Sequence, residues 1–164
     1  MIGFCSGRTY LTYMFAIPIR PATEADAEAI SALIRRTLRV SNAADYSVAE
    51  INLVYAYFSE AGVRARIARQ DVFVAEIDGQ IIATVGYEKG ELWALFVTPE
   101  SQRLGLGTTL VEHVERHARK RGDRQLGLAA SLTGVEFYER LGYRRLAHRT
   151  HPSGATYTMA KTLR

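Results

Sequence analysis

The run Leu95-Phe96-Val97-Thr98-Pro99-Glu100-Ser101-Gln102-Arg103-Leu104-Gly105-Leu106-Gly107-Thr108-Thr109-Leu110 carries an apolar strand through a proline break into a glycine turn that opens a helix. Its chemistry is anion binding. The first turn of a helix has backbone N–H groups with no partner and the positive end of the macrodipole, so a diphosphate there gains hydrogen bonds and charge complementarity together. Gly105 and Gly107 carry no side chain to obstruct its approach. The spacing narrows the ligand. A dinucleotide fingerprint requires G-x-G-x-x-G, yet Leu110 stands three residues after Gly107, and the Gly-Lys-Ser/Thr that closes a P-loop is missing.

Other chemistries find little support. Cys5 is the single cysteine, with no C-x-x-C and no His/Cys cluster, so neither an internal disulfide nor a zinc site is expected, and the setting reads as reducing and cytoplasmic. No apolar run approaches the ~20 residues of a membrane helix. The leader through Tyr13 lacks a basic start followed by a long apolar core, so a soluble, non-exported protein is expected. The net charge is +4, with cations gathered at Arg116, Arg119, Lys120, Arg121 and Arg124 and again at Arg140, Arg144, Arg145 and Arg149. No aromatic residue interleaves the first cluster, which favours a solvated basic face over a nucleic-acid surface. Some of these cations can attract the phosphates of a cofactor. His113, His117, His148 and His151 read as surface residues.

The elements that must position the glycine turn form one alternating series. At 164 residues and 48% hydrophobic, the chain supports one core. It divides into an N-terminal extension over 1–14 and a single domain over 15–164. Phe15 to Arg20 reads as a first strand. Thr23-x-x-Asp26 then opens a helix with Ile30, Leu33, Ile34 and Leu38 at helical spacing, and Ser47-x-x-Glu50 opens another with Ile51, Val54, Tyr55 and Phe58. Val63 to Gln70 forms a further short helical piece. Asp71 to Ile77 and Gln80 to Glu88 are strands joined at Asp78-Gly79, and Lys89-Gly90 leads into Glu91 to Val97. The helix after the glycine turn buries Leu106, Leu110, Val111, Val114 and Ala118 and turns Glu112, Glu115, Arg116 and Arg119 outward. Gln125 to Ala129 is a buried strand that completes a right-handed β-α-β unit beside Val97. Thr133-x-x-Glu136 caps a helix through Leu141, and strands around Arg144 to Arg149 and Thr156 to Thr162 turn at Pro152-Ser153-Gly154.

Two motifs carry a resemblance to a known family. Gln102-x-x-Gly105-x-Gly107 after a strand ending in Val97 resembles the acetyl-CoA-binding motif, Q/R-x-x-G-x-G/A, of the GCN5-related N-acetyltransferase superfamily. Ser131-Leu132-Thr133-Gly134-Val135-Glu136-Phe137-Tyr138-Glu139-Arg140-Leu141-Gly142-Tyr143 is similar to that family's N-x-x-A-x-x-F-Y-E-x-x-G-F. Ser131 stands where asparagine is common and Gly134 where alanine is. The resemblance spans roughly residues 17 to 149.

It implies an α/β fold: a mixed sheet, flanked by helices, that splays open between two parallel strands. Acetyl-CoA is the implied co-substrate, its pantetheine arm along Leu95, Phe96 and Val97 and its pyrophosphate on the amides of Arg103, Leu104, Gly105, Leu106, Gly107 and Thr108. Gln102 and Ser131 complete the cofactor set, and no metal is implied. The implied reaction is direct attack of an amine on the thioester in a ternary complex. Glu91 is the first candidate base, because strand alternation puts it on one face with Trp93, Leu95 and Val97; it is equally a solvent-facing residue beyond a turn, with Glu88 or a water wire as substitutes. Tyr138 matches the tyrosine that protonates the departing thiolate, and it also fits a helical core stripe with Gly134, Phe137 and Leu141. Tyr46, Glu50, Tyr55, Tyr57, Phe58 and Glu60 fall where this family shapes its acceptor site. The acceptor amine is left open among a small molecule, a peptide N-terminus and a protein lysine, and a homodimer stays open. Rival readings are a non-catalytic acyl-CoA sensor and a nucleic-acid-binding module.

Overall fold

The computed structural model describes residues 17–164. Strands β1 (Ile19–Pro21), β2 (Asp71–Ile77), β3 (Gln80–Glu88), β4 (Glu91–Val97), β5 (Gln125–Ser131), β6 (Arg144–His151) and β7 (Gly154–Thr162) form one sheet in the order β1-β2-β3-β4-β5-β7-β6. All neighbours are antiparallel except β4 and β5. The first strand begins later than the expected Phe15, and residues 15 and 16, like the extension over 1–14, lie outside the described residues.

Helices α1 (Ala27–Ser41), α2 (Val48–Tyr57) and α3 (Glu60–Ile67) separate β1 from β2; α4 (Leu106–Lys120) and α5 (Val135–Arg140) follow β4 and β5. Local chemistry accounts for their starts. The Ser47 hydroxyl accepts the Glu50 N–H at 3.3 Å while the Glu50 carboxylate accepts the Ser47 N–H at 2.7 Å, a reciprocal cap for α2. Ser59 accepts the Gly62 N–H at 3.2 Å and starts α3. The Asp78-Gly79 and Lys89-Gly90 turns have positive φ at both residues, which matches the twist of the strands they join.

Alternation along the strands divides the interior into two layers. Phe73, Ala75, Val85, Tyr87, Leu92, Leu126 and Met159 pack under α4 and α5, whereas Val72, Val74 and Ile81 pack under α1, α2 and α3. No residue of β5, β6 or β7 joins the second layer, so the helices on that face stop at β4. Leu106, Leu110, Val111, Val114 and Ala118 are all buried. Glu115 departs from the expected outward set. It is 4% exposed, receives the Tyr143 hydroxyl at 3.2 Å and the Lys161 ammonium at 2.7 Å, and lies 3.6 Å from the Arg119 guanidinium, so the buried carboxylate is hydrogen-bonded and its charge is offset by two cations.

Candidate active site

The parallel pairing of β4 and β5 lasts for two residue pairs, Glu91 with Gly127 and Leu92 with Leu128. Beyond them the strands part. The edge of β4 from Trp93 to Val97 has no strand partner on that side, while β5 stays paired to β7 as far as Ser131 with Thr156. The result is a gap with two lips and a closed end at Leu92. Parted parallel strands leave unpaired N–H and C=O groups that an amide-bearing ligand can satisfy.

A bulge shapes the β4 lip. Gly86 pairs with Trp93 and Thr84 with Phe96, so Val85 alone faces both Ala94 and Leu95, and Ala94 adopts φ +50°. The extra residue breaks the expected alternation. Leu92, Leu95 and Val97 pack with the α4 layer, and Trp93, Ala94 and Phe96 with the α1 layer. Glu91 therefore does not share a face with Leu95 and Val97. A Cβ built on Gly127 would lie 3.8 Å from the Glu91 Cγ, which places the Glu91 side chain over β5 at the closed end of the gap. Glu88, directly opposite in the hairpin, is held by the Gln70 side-chain amide. Glu91 is exposed and has no side-chain partner among the described residues.

Past Val97 the chain turns through a short 3-10 segment into the α4 N-terminus. Arg103 at φ +62° and Gly105 at φ +86° are both left-handed. The N–H groups of 103–108 find no hydrogen-bond partner among the described residues; the first bond of the helix runs from Thr109 N–H to the Gly105 carbonyl at 3.0 Å. Such a row of amides is an anion cradle. The two glycines act differently from the expectation that both clear a path for ligand. At Gly105 a Cβ would meet nothing, and the requirement is the backbone angle; at Gly107 a Cβ would lie 3.2 Å from the Phe137 ring and 4.0 Å from Val97, so this glycine admits Phe137. Gln102 turns inward, donating to the Val97 carbonyl and to Ser41 Oγ, both at 3.0 Å. It fixes the end of the β4 lip. Leu104 is exposed at the tip of the turn.

Tyr138 on α5 packs in the same layer as Leu95 and Val97, edge-on to Phe137 and Tyr143. It is 8% exposed, and its hydroxyl bonds to nothing among the described residues. Burial pushes its pKa far above the ordinary phenol range, so the group stays protonated. Its helix is shorter than expected. Thr133 does not cap it, because the Thr133 hydroxyl donates to Asp45 at 2.5 Å and Leu132–Gly134 forms a 3-10 turn. Ser131 ends β5 at the other lip.

Of the acceptor-region candidates, Tyr46 reaches the far lip: its hydroxyl accepts from Leu132 N–H at 2.8 Å and donates to the Ala155 carbonyl at 2.7 Å. Burial raises its pKa as well. Glu50 caps α2 nearby. The others go elsewhere. Tyr55 donates to the Arg35 carbonyl on α1, Glu60 pairs with Arg64, and exposed Tyr57 covers the Arg66 guanidinium. Phe58 is buried, packing edge-on against Phe96. Sequence reasoning missed Ser41, and also Gly86, where the Trp93 indole occupies the space of a Cβ. A glycine mid-strand was the available signal. His117, read as a surface residue, is partly buried: it meets Asp71 at 2.8 Å and stacks edge-on against Phe73 and Tyr87. Among the described residues no three His, Cys, Asp or Glu side chains gather as a metal site, and no helix is long and apolar enough to cross a membrane.

Known proteins share this architecture. Residues 42–163 match the family described as Acetyltransferase (GNAT) domain. An uncharacterized N-acetyltransferase of Escherichia coli K12, YafP, is 26% identical over 143 residues, covering 87% of this chain and 91% of that protein. A GCN5-related N-acetyltransferase structure from Rhodopseudomonas palustris superposes with a TM-score of 0.84 at 26% identity, covering 89% of this chain and 95% of that one. The fold is also that of the PaiA N-acetyltransferase of Thermoplasma acidophilum, solved in complex with coenzyme A, with a TM-score of 0.78 at 21% identity over 88% of this chain and 98% of that one. With its splayed parallel pair, its amide-lined turn and a domain match across most of its length, the chain belongs to the GCN5-related N-acetyltransferase family.

Proposed function

We propose that the protein is an acetyl-CoA-dependent N-acetyltransferase that transfers the acetyl group directly to a primary amine while both substrates are bound. The observation that carries this reading is the continuity of three features: the unpaired β4 edge, the amide row of 103–108 and the Tyr138 hydroxyl, unpartnered among the described residues, on a ring that packs in the same layer as Leu95 and Val97. The residues present suit the co-substrate. The amides of Arg103 to Thr108 receive its pyrophosphate, and the free edge at Leu95, Phe96 and Val97 receives the pantetheine amides. Gln102 holds that edge in place through the Val97 carbonyl, and Ser131 contributes a hydroxyl from the opposite lip. The coenzyme A complex of the PaiA protein supports the same use of the fold.

Bound there, acetyl-CoA supplies a thioester: the N–C bond forms as the C–S bond breaks, one proton leaves nitrogen and one reaches sulfur. Glu91 accepts the proton from nitrogen, directly or through water. Neutralising a lysine-like amine at pH 7.5 costs about 4 kcal/mol, which is the barrier contribution a base relieves. Glu91 is preferred to Glu88 because Glu88 already holds Gln70. Tyr138 donates its hydroxyl to the developing charge on sulfur. A thiol titrates near 8.5, well below this buried phenol, so Tyr138 stabilises the charge by hydrogen bonding and passes its proton on only as another replaces it.

The test is a calorimetric titration of acetyl-CoA, with CoA and NAD as comparators, followed by thiol release over a panel of amines. Binding of both CoA forms without NAD, and release with at least one amine, is expected. Failure of both CoA forms to bind overturns the reading. Binding without release on any amine favours the sensor alternative.

A further inference from the structure

Residues 42–47 link α1 to α2, and between the end of α1 and Tyr46 the chain passes from one lip of the gap to the other. At the near end, Ser41 Oγ receives Gln102, which also holds the Val97 carbonyl of the β4 lip. At the far end, the Tyr46 hydroxyl is bonded to Leu132 N–H and to the Ala155 carbonyl, and Asp45 receives Thr133. The Tyr46 ring lies on Gly154, where a Cβ would fall 2.4 Å from it. The last residue of α1 and the segment that follows it thus join the ends of β4, β5 and β7, with Ser41 on the β4 side and Asp45 and Tyr46 on the other. Ala43, Ala44 and Asp45 are exposed, so a few polar bonds and one ring hold it down.

We propose that Asn42–Ser47 is a gate across the acceptor side of the gap, latched by Tyr46, and that the latch occupies the N–H and C=O groups that an amide of the acceptor takes when the gate opens. The proposal rests on the acetyltransferase reading. A hydroxyl that accepts from one backbone N–H and donates to one backbone C=O makes the same two bonds as a primary carboxamide, whose C=O and syn N–H point the same way. When Tyr46 leaves, Leu132 N–H and Ala155 C=O regain partners from an acceptor with a primary amide beside its amine, such as an amino-acid amide. A plain alkylamine leaves them to water. A segment held by so little buried apolar surface opens far more readily than the core.

Two measurements on wild type and Tyr46→Phe decide it. In hydrogen exchange, the substitution is expected to speed exchange across 42–47 by about tenfold, the effect of losing one or two hydrogen bonds, with β2 and β3 unchanged. In kinetics, KM for glycinamide falls severalfold at constant kcat, whereas a merely structural tyrosine would raise KM or lower kcat. Wild type also prefers glycinamide to glycine methyl ester, whose amine is similar but which lacks the N–H for Ala155, by roughly fivefold in kcat/KM. Unchanged exchange at 42–47, a raised KM in the variant, or equal use of amide and ester overturns the proposal. Should neither acceptor react, acetyl-CoA calorimetry reports whether the acetyltransferase reading has failed, and hydrogen exchange alone decides the gate.

Discussion

The two lips of the gap are finished by opposite means. On β4 the finish is backbone: a bulge with Ala94 in a left-handed conformation, a carbonyl pinned by Gln102, and a glycine turn that leaves a row of amides free. On β5 it is side chain: the strand stays regularly paired to β7, carries the small residues Gly127, Ala129 and Ser131 toward the bare face, and is reached by Tyr46 from another part of the chain. A backbone surface suits a ligand that is always the same. A surface set by side chains on a connecting segment suits the partner that varies between enzymes.

The largest effect separates chemistry from both lips. Tyr138→Phe is expected to lower kcat about 100-fold, a general-acid magnitude, with the acetyl-CoA dissociation constant within about twofold of wild type. Its pH signature follows from sign: the acid is lost as pH rises through its pKa, and burial has raised that value above the ordinary 10.0, so wild-type kcat holds past pH 10. A falling limb at or below pH 10 would assign the proton donor to another group.

Next comes the β4 lip itself. Ala94→Val forces a β-branched residue into φ +50° and is expected to lower unfolding stability by about 2 kcal/mol in a denaturant melt, while weakening acetyl-CoA binding. Ala94→Gly, free of that strain, keeps both. Equal behaviour of the two variants would mean the bulge does not set this lip.

The glycine turn offers a finer division. Gly107→Ala pushes against the Phe137 ring and is expected to raise the acetyl-CoA dissociation constant about tenfold, since overpacking costs roughly 1–3 kcal/mol. Gly105→Ala meets open space and bears only the left-handed penalty of about 1 kcal/mol, seen as a small loss of stability. The reverse order would make Gly105 the close-approach position.

The smallest effect lies away from both lips. Arg20 binds the Asp26 carboxylate through both terminal nitrogens, at 2.8 and 2.9 Å, and with the Thr23 amide holds its pKa at about 2 against an ordinary 3.8. A depressed carboxylate contributes stability that is full above the unfolded value and is lost as pH falls from about 4 toward 2. Arg20 is 39% exposed, so screening trims the contribution to about 1 kcal/mol. Asp26→Asn is expected to remove it at pH 7 and to match wild type near pH 2, with kcat unchanged at neutral pH.

What the sequence determined by itself was everything fixed within a few residues. The Asp78-Gly79 and Lys89-Gly90 turns, the Ser47/Glu50 cap, the inward stripe of α4 and the glycine turn that opens it follow from φ preferences, helical period and unpaired helix amides, which are properties of short segments. The family signature around Phe137 and Tyr138 was legible for the same reason: its spacing is local. Tertiary structure decided where groups distant in the chain meet. It put two residues of β4 opposite Val85 and so turned Leu95 away from Glu91's face, drew Phe137 into the space of a Gly107 side chain, buried Glu115 between Tyr143 and Lys161, took Thr133 from its helix to meet Asp45, and carried Tyr46 to Leu132 and Ala155. Each outcome depends on partners roughly 10 to 110 positions apart, and no local periodicity encodes which of several polar or apolar neighbours will satisfy a group once the sheet has closed around it.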